Sequence, residues 1–169
     1  MSKEIAEFCD TMSMASTVDG CLTPTHTDMT VTDDNATHVE SVPSPDGVFI
    51  IRHRDTGRVI TLIDGELRLC EGFSARGGFH WQCVEKDRWL GFRNCVSGTF
   101  IGHNDRKKFI AKATHHRTYE YFTPRPHPQG GYELLIRHGD ELWSMTVGAE
   151  GTTLIETKGE GALWDFLRT

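Results

Sequence analysis

The chain contains no apolar run approaching the roughly 20 residues that a membrane-crossing helix needs, so no membrane partner is expected. It has no Cys-x-x-Cys, and its five cysteines, Cys9, Cys21, Cys70, Cys83 and Cys95, are odd in number. That excludes a disulfide framework and a structural zinc knuckle as the organising device. The nine histidines include no His-x-x-x-His and no Cys/His spacing of zinc type, so neither a metal site nor a cofactor is expected. Ser97-Gly98 has no Gly-x-Ser-x-Gly around it, and no cysteine stands beside a base motif, which leaves nucleophilic catalysis without support. Residues 1–10 carry acids and no apolar segment, so no secretory signal is expected there. The thiols are read as free, in a reducing, cytoplasmic compartment.

Charge of positive sign is also scarce, and it is unevenly placed. Residues 1–46 hold nine acids against one base, Lys3, for a net charge of −8, whereas the rest holds 17 bases against 15 acids, for +2. An acidic chain lacks the positive face that phosphate contacts require, so nucleic acid is not an expected partner. Residues 16–46 are rich in Ser, Thr and Asp and poor in large apolar residues, the composition of a flexible segment. Ile5, Phe8 and Met12 at helical spacing predict one short amphipathic turn near the start. Residues 1–46 are therefore expected to form an acidic extension. Its charge predicts attraction to the most basic surface of residues 47–169.

What is present after Gly47 is an internal repeat, with copies at about 47–87, 88–131 and 132–169. Each opens on an apolar strand ending in Arg: Phe49-Ile50-Ile51-Arg52, Leu90-Gly91-Phe92-Arg93 and Leu134-Leu135-Ile136-Arg137. A second strand comes next, at Arg58-Val59-Ile60, Thr99-Phe100-Ile101 and Leu142-Trp143-Ser144, with Gly57 and Gly98 just ahead in the first two copies. The third strands are Glu66–Leu69, Lys108–Ala111 and Thr153–Glu156, and each copy closes on an aromatic, Trp81, Tyr119 or Trp164. From the Arg to the apolar residue of the third strand is 15, 16 and 17 positions, a drift that loops of a repeat unit accommodate. A propeller built of such four-strand units needs at least four blades, and there are three. Three units closing into a capped six-strand barrel make an all-β fold, the β-trefoil, which leaves no open barrel edge.

The stretch from Phe92-Arg93-Asn94 through Ser97-Gly98-Thr99-Phe100-Ile101-Gly102 resembles fascin-like, or actin-cross-linking-like, β-trefoils. It is also similar to single-domain trefoil proteins of fungi. The resemblance covers residues 47–169 and implies a binding role, with a cytoskeletal protein among the partners. Fascin-type cross-linking uses tandem trefoils, and one is present here. The Gln-x-Trp of ricin-type sugar sites is absent, since Phe79, Arg117 and Ala162 stand two positions before Trp81, Tyr119 and Trp164.

Residues recurring in every copy are expected to be structural: Trp81, Tyr119 and Trp164 as equivalent buried core residues, and Arg52, Arg93 and Arg137 bonding strand-end carbonyls. A functional residue should break the repeat. By that test the second copy stands out, with His103, Arg106, Lys107, Lys108, Lys112, His115, His116 and Arg117 against one acid, Asp105. Such a basic lobe focuses field on an anionic ligand or an acidic protein surface, and its histidines would add charge below about pH 6.5. The function expected is an intracellular binding module for a protein or a small anionic ligand. The alternative is a cyclase or isomerase of fungal specialised metabolism using His or Asp as acid–base groups, with His53, His80, His103 and His138 as candidates. Its hydrophobic substrate would call on Phe73, Trp89 or Trp143 to line a pocket.

Overall fold

In a strand, side chains alternate between faces, so a strand with one face on a core alternates apolar with polar residues. Glu66–Cys70 does this, exposing Glu66 and Arg68 and burying Leu67 and Leu69. Val48–His53 instead buries Phe49, Ile50 and Ile51 in succession. Phe49 and Ile51 face the main core, while Ile50 turns to a satellite cluster with Val59 and Leu167.

The computed structural model describes residues 30–33, 36–73 and 77–169. Strands β1 (Thr30–Asp33) and β2 (Ala36–Glu40) come first. The first repeat is β3 (Val48–His53), β4 (Val59–Ile63), β5 (Glu66–Cys70) and β6 (Trp81–Lys86). The second is β7 (Trp89–Asn94), β8 (Phe100–His103), β9 (Phe109–Ala113) and β10 (Phe122–Pro126), and the third is β11 (Tyr132–His138), β12 (Glu141–Val147), β13 (Leu154–Thr157) and β14 (Leu163–Arg168). First and fourth strands pair antiparallel in a ring, β3–β6–β7–β10–β11–β14, closed by β14 on β3. The hairpins β4–β5, β8–β9 and β12–β13 bring their third strands into mutual contact. This is the β-trefoil expected from the repeats.

The core holds matched residues from all three copies. Ile60, Ile101 and Met145 come from the second strands and Leu67, Phe109 and Leu154 from the third, all among the buried cluster. The indole Nε1 of Trp81 donates to the Ile60 carbonyl at 2.9 Å, and that of Trp164 to the equivalent Met145 carbonyl at 3.5 Å. Both tryptophans are fully buried.

Two expectations about the repeat need correction. Tyr119 is not the third member of the aromatic set. Trp81 pairs with Phe49 and Trp164 with Tyr132, and the second-copy counterpart is Phe122, which pairs with Leu90 and is fully buried. Tyr119 lies three residues earlier, in a 3₁₀ turn over Thr118–Glu120, and is 48% exposed. The arginines also divide. Arg93 and Arg137 donate from Nε to the carbonyls of Gly98 and Gly139, at 3.1 and 3.0 Å, as expected of strand-end arginines. Arg52 instead binds carboxylates, Asp165 at 3.0 Å and Glu40 at 3.2 Å. Arg137 is also two residues out of register. Counting from the strand-one partners Phe49, Leu90 and Tyr132, the counterpart of Arg52 and Arg93 is Leu135.

The sheet begins ahead of residue 47. Strand β2 hydrogen-bonds to β14, with Glu40 opposite Leu167, so part of the acidic extension adds to the sheet. The turn expected at Ile5, Phe8 and Met12 lies outside the described residues.

Among the described residues Cys70, Cys83 and Cys95 are free thiols. Burial pushes the Cys83 thiol up to about 12, and Glu85 and Asp46 add to the shift. The thiolate is the reacting form. In native protein at pH 8, exposed Cys95 should therefore react with a chromogenic disulfide reagent at once and Cys83 only on unfolding. Equal rates at the two, read by peptide mapping, would contradict this burial.

Candidate functional site

The second repeat departs from its siblings between β9 and β10. There the chain runs through Thr114–Arg117 into the 3₁₀ turn before rejoining the barrel. Two glycines let this loop lie on β7 and β8. A Cβ on Gly102 would stand 2.8 Å from the Tyr119 carbonyl, and one on Gly91 only 2.6 Å from His116 Nε2.

His116 is the loop's anchor. Its ring stacks on Phe100 with centroids 5.5 Å apart, and Nε2 contacts the Glu120 carbonyl at 3.1 Å. A carbonyl only accepts, so Nε2 carries the hydrogen. Burial pushes this imidazole below its ordinary pKa. His116 therefore holds the loop and supplies no charge near neutral pH, contrary to its expected place in a basic lobe. Glu120 closes the turn by accepting from the Arg117 N–H at 3.0 Å, and its own burial pushes its carboxyl upward.

The outer face of the loop is different. Lys112, His115 and Arg117 line a cavity of about 460 Å³ together with Thr114, Thr118, Tyr119 and Glu120. Among the described residues no carboxylate lies at ion-pair distance from Lys112 or Arg117, whereas Arg52, Arg54, Arg58 and Arg68 are all paired. Two cations outside any ion pair among the described residues and a histidine thus line one concave surface, with Glu120 its one carboxylate.

The remaining residues of the expected lobe sit elsewhere. Arg106, Lys107 and Lys108 form the β8–β9 turn, where the Asn104 side chain accepts from the N–H groups of Arg106 and Lys108 at 2.9 and 3.0 Å. That is the turn role expected of Asn104-Asp105. Lys107 reaches away from the cavity, its Nζ lying 4.7 Å from the centre of the Trp143 ring.

His103 belongs to a second constellation, at the junction of the second and third repeats. His103 ends β8, His138 ends β11 and Glu156 lies on β13. His103 Nδ1 stands 3.3 Å from Glu156 Oε1, and His138 Nδ1 stands 3.1 Å from Glu156 Oε2. The His103 and Glu156 side chains are buried and His138 is part-exposed. Tyr119 covers the His103 ring at 4.4 Å, and Trp143 stacks on His138 at 4.3 Å. These two histidines and one carboxylate could hold a metal ion. Of this group, His103 and His138 stood out in the sequence as histidines and Glu156 did not, because no spacing links it to them.

Of the other histidines considered for acid–base work, His53 bonds Thr56 Oγ1 at 2.8 Å and packs on Trp164. His80 packs on Phe79. Neither joins the cavity.

Solved structures share this fold. One is the β-trefoil solved as BEL, with a TM-score of 0.63 and 13% identity, covering 76% of this chain and 97% of that one. Another is SeviL bound to asialo-GM1 saccharide, with a TM-score of 0.58 and 13% identity, over 73% and 96% of the two chains. A third is an endo-β-galactosidase from Clostridium perfringens that releases GlcNAcα1-4Gal, with a TM-score of 0.64 and 12% identity. That match covers 73% of this chain and 32% of that enzyme, so this chain spans about a third of its length. At such identities the likeness is one of fold. No family model and no curated protein sequence matches the chain.

Proposed function

We propose that this protein is a non-enzymatic binding module that takes a small anionic ligand in the cavity of the second repeat. The observation that carries the reading is the convergence there of Lys112, His115 and Arg117, with Lys112 and Arg117 unpaired to any described carboxylate. Charge-assisted hydrogen bonds from Lys and Arg to a carboxylate or phosphate are roughly twice as strong as neutral ones. A cavity of about 460 Å³ is of small-ligand size. Tyr119 adds an aromatic wall; the SeviL trefoil holds a neutral, asialo saccharide, and it is the Lys112 and Arg117 lining here that makes a sugar acid the first class to try. A second surface cavity, lined by Arg125, His127 and Gln129 among others, carries three carboxylates, Asp55, Glu133 and Glu160, and is less suited to an anion.

Phe73, Trp89 and Trp143 line neither of these cavities. Trp89 stacks on Tyr121 and Trp143 on His138. Neither of these two cavities offers the apolar lining that the cyclase or isomerase reading called for.

The test is titration of the isotope-labelled full chain with sialic acid, glucuronic acid and their neutral methyl esters, monitored by amide shifts. Shifts from the free acids should concentrate on 112–120. Lys112→Ala and Arg117→Ala should each weaken binding about tenfold, the scale of one charge-assisted hydrogen bond. Esters binding as well as acids, or shifts centred on another face, would overturn the reading.

A further inference from the structure

Beyond the anion cavity, the junction of the second and third repeats poses a problem in hydrogen-bond accounting. The Glu156 carboxylate is fully buried, and among the described residues its Oε1 has no hydrogen-bond donor. Burying a carboxylate oxygen without a partner is costly, and native structures rarely leave one so. His103 Nδ1 stands 3.3 Å from Oε1, within ion-pair reach but not aligned as a donor.

The His103 ring cannot repair this alone. Its Nε2 faces the Arg137 carbonyl at 3.2 Å, which fixes a hydrogen on that nitrogen. In the neutral ring Nδ1 is then a lone pair, set beside the Asn104 carbonyl at 3.4 Å and Glu156 Oε1. Three acceptor atoms converge. A second proton on Nδ1 would align with the Asn104 carbonyl and would still leave Oε1 without a donor. A cation between Nδ1 and the carboxylate serves both.

We propose that His103, His138 and Glu156 form a binding site for a divalent transition-metal ion, with zinc the best-fitting class. One ring nitrogen from each histidine and one carboxylate oxygen lie within 4.8 Å of one another. Bonds of about 2.0–2.2 Å bring tetrahedral ligand atoms to roughly 3.3–3.5 Å apart, a contraction within reach of side-chain rotation at part-exposed His138. Two imidazoles and a carboxylate suit a borderline ion such as zinc better than calcium or magnesium, which take oxygen ligands. The surroundings are those of a metal site. His103 gives its far nitrogen to a backbone carbonyl, the usual orienting contact of a ligating histidine. Trp143 fixes the His138 ring, and its own Nε1 is tied to Glu141 at 2.9 Å. Lys107 and Lys158 on Trp143 repel a dication and set the affinity below that of a closed structural zinc site. Three protein ligands leave a coordination position open toward the His138 side, for water or for a ligand's own donor atom.

The experiment is titration of chelator-treated, dialysed full-length protein with zinc and, separately, with cobalt. One equivalent of zinc should bind with a micromolar or tighter dissociation constant, and cobalt should develop the visible bands of tetrahedral coordination. His138→Ala and the isosteric Glu156→Gln should each weaken zinc by more than the roughly 10–100-fold that loss of an orienting partner costs. His127→Ala, outside the cluster, should leave binding unchanged. Melting curves of the metal-free variants check that each folds. Zinc binding no tighter than about 1 mM would overturn the proposal, as would stoichiometric binding indifferent to both cluster substitutions. Nitrogen NMR showing His103 doubly protonated at pH 7 with no change on adding zinc would assign the site to an imidazolium–carboxylate pair instead.

Discussion

Replacing Trp81 or Trp164 by Ala should each cost roughly 3–5 kcal/mol of stability, the scale for deleting a large buried aromatic. Both side chains are fully buried in the single barrel core, and their indoles tie the fourth strand to the second within a repeat. Truncation removes the apolar contacts and also takes the indole donor from the carbonyl of Ile60 or of Met145, the latter still accepting from the Ala162 N–H at 3.1 Å. Phe122→Ala should belong to the same class, because Phe122 occupies the second repeat's copy of the position. Tyr119→Ala should cost less than about 1 kcal/mol, since that side chain is half exposed and its hydroxyl bonds only surface Asp105, at 3.2 Å. Denaturant unfolding of the four variants separates the cases. A Tyr119 loss matching the tryptophan losses would mean that the repeat assignment drawn from strand register is wrong.

Asp165→Ala should be comparably damaging, by about 3–5 kcal/mol, through electrostatics instead of volume. Asp165 is 3% exposed and lies on β14 directly opposite Arg52 of β3, at the seam that closes the barrel. It accepts from Arg52 at 3.0 Å and from Arg54 at 2.5 Å. Removing the carboxylate leaves two part-buried guanidinium groups facing one another, with Glu40 the one acid left on Arg52 among the described residues. Breaking such a pair is far costlier than never having had it, because the orphaned charge stays desolvated. The double variant Arg52→Leu/Asp165→Leu should therefore be more stable than Asp165→Ala alone. If the double variant is the less stable of the two, the seam rests on side-chain volume and not on this ion pair.

The repeat made the architecture legible. Each copy carries period-two apolar strands in the same order and at nearly the same spacing, and a small barrel is a way to bury three such units without a free edge. The closing aromatic of the second copy was harder to place. Tyr119-Glu120-Tyr121-Phe122 offers an aromatic on either face of a strand, and a 3₁₀ turn takes up its first two residues. Which of them enters the core depends on where β10 resumes pairing with β7 and β11, and hydrogen-bond register decides that. Arg137 misled for a related reason. A shift of two residues along a strand keeps a side chain on the same face, so apolar patterning is blind to it. The third repeat's β11–β12 ladder runs to four residue pairs, against one in each of its counterparts β3–β4 and β7–β8.

The basic character of the second repeat was likewise readable as composition, but its division was not. Eight residues close together in the chain separate in space, because β9 carries Lys112 outward and the loop beyond it folds back over Gly91 and Gly102. His116 is thereby buried, Lys112, His115 and Arg117 share a cavity, and His103 and Lys107 turn to the neighbouring repeat.

By itself the sequence determined the number of repeats, the strand order and the residue types of the core, since burial of alternating side chains is a local property of the chain. The tertiary structure alone decided the meeting of His103, His138 and Glu156. These residues lie 35 and 18 positions apart on strands of two different repeats, and no motif spacing connects them. They converge because the β8–β9 hairpin lies against β13, with the Glu156 N–H donating to the Lys107 carbonyl at 2.9 Å, while β11 brings His138 alongside. That proximity results from the closing of the barrel, a global constraint that carries no signature in any single stretch of sequence.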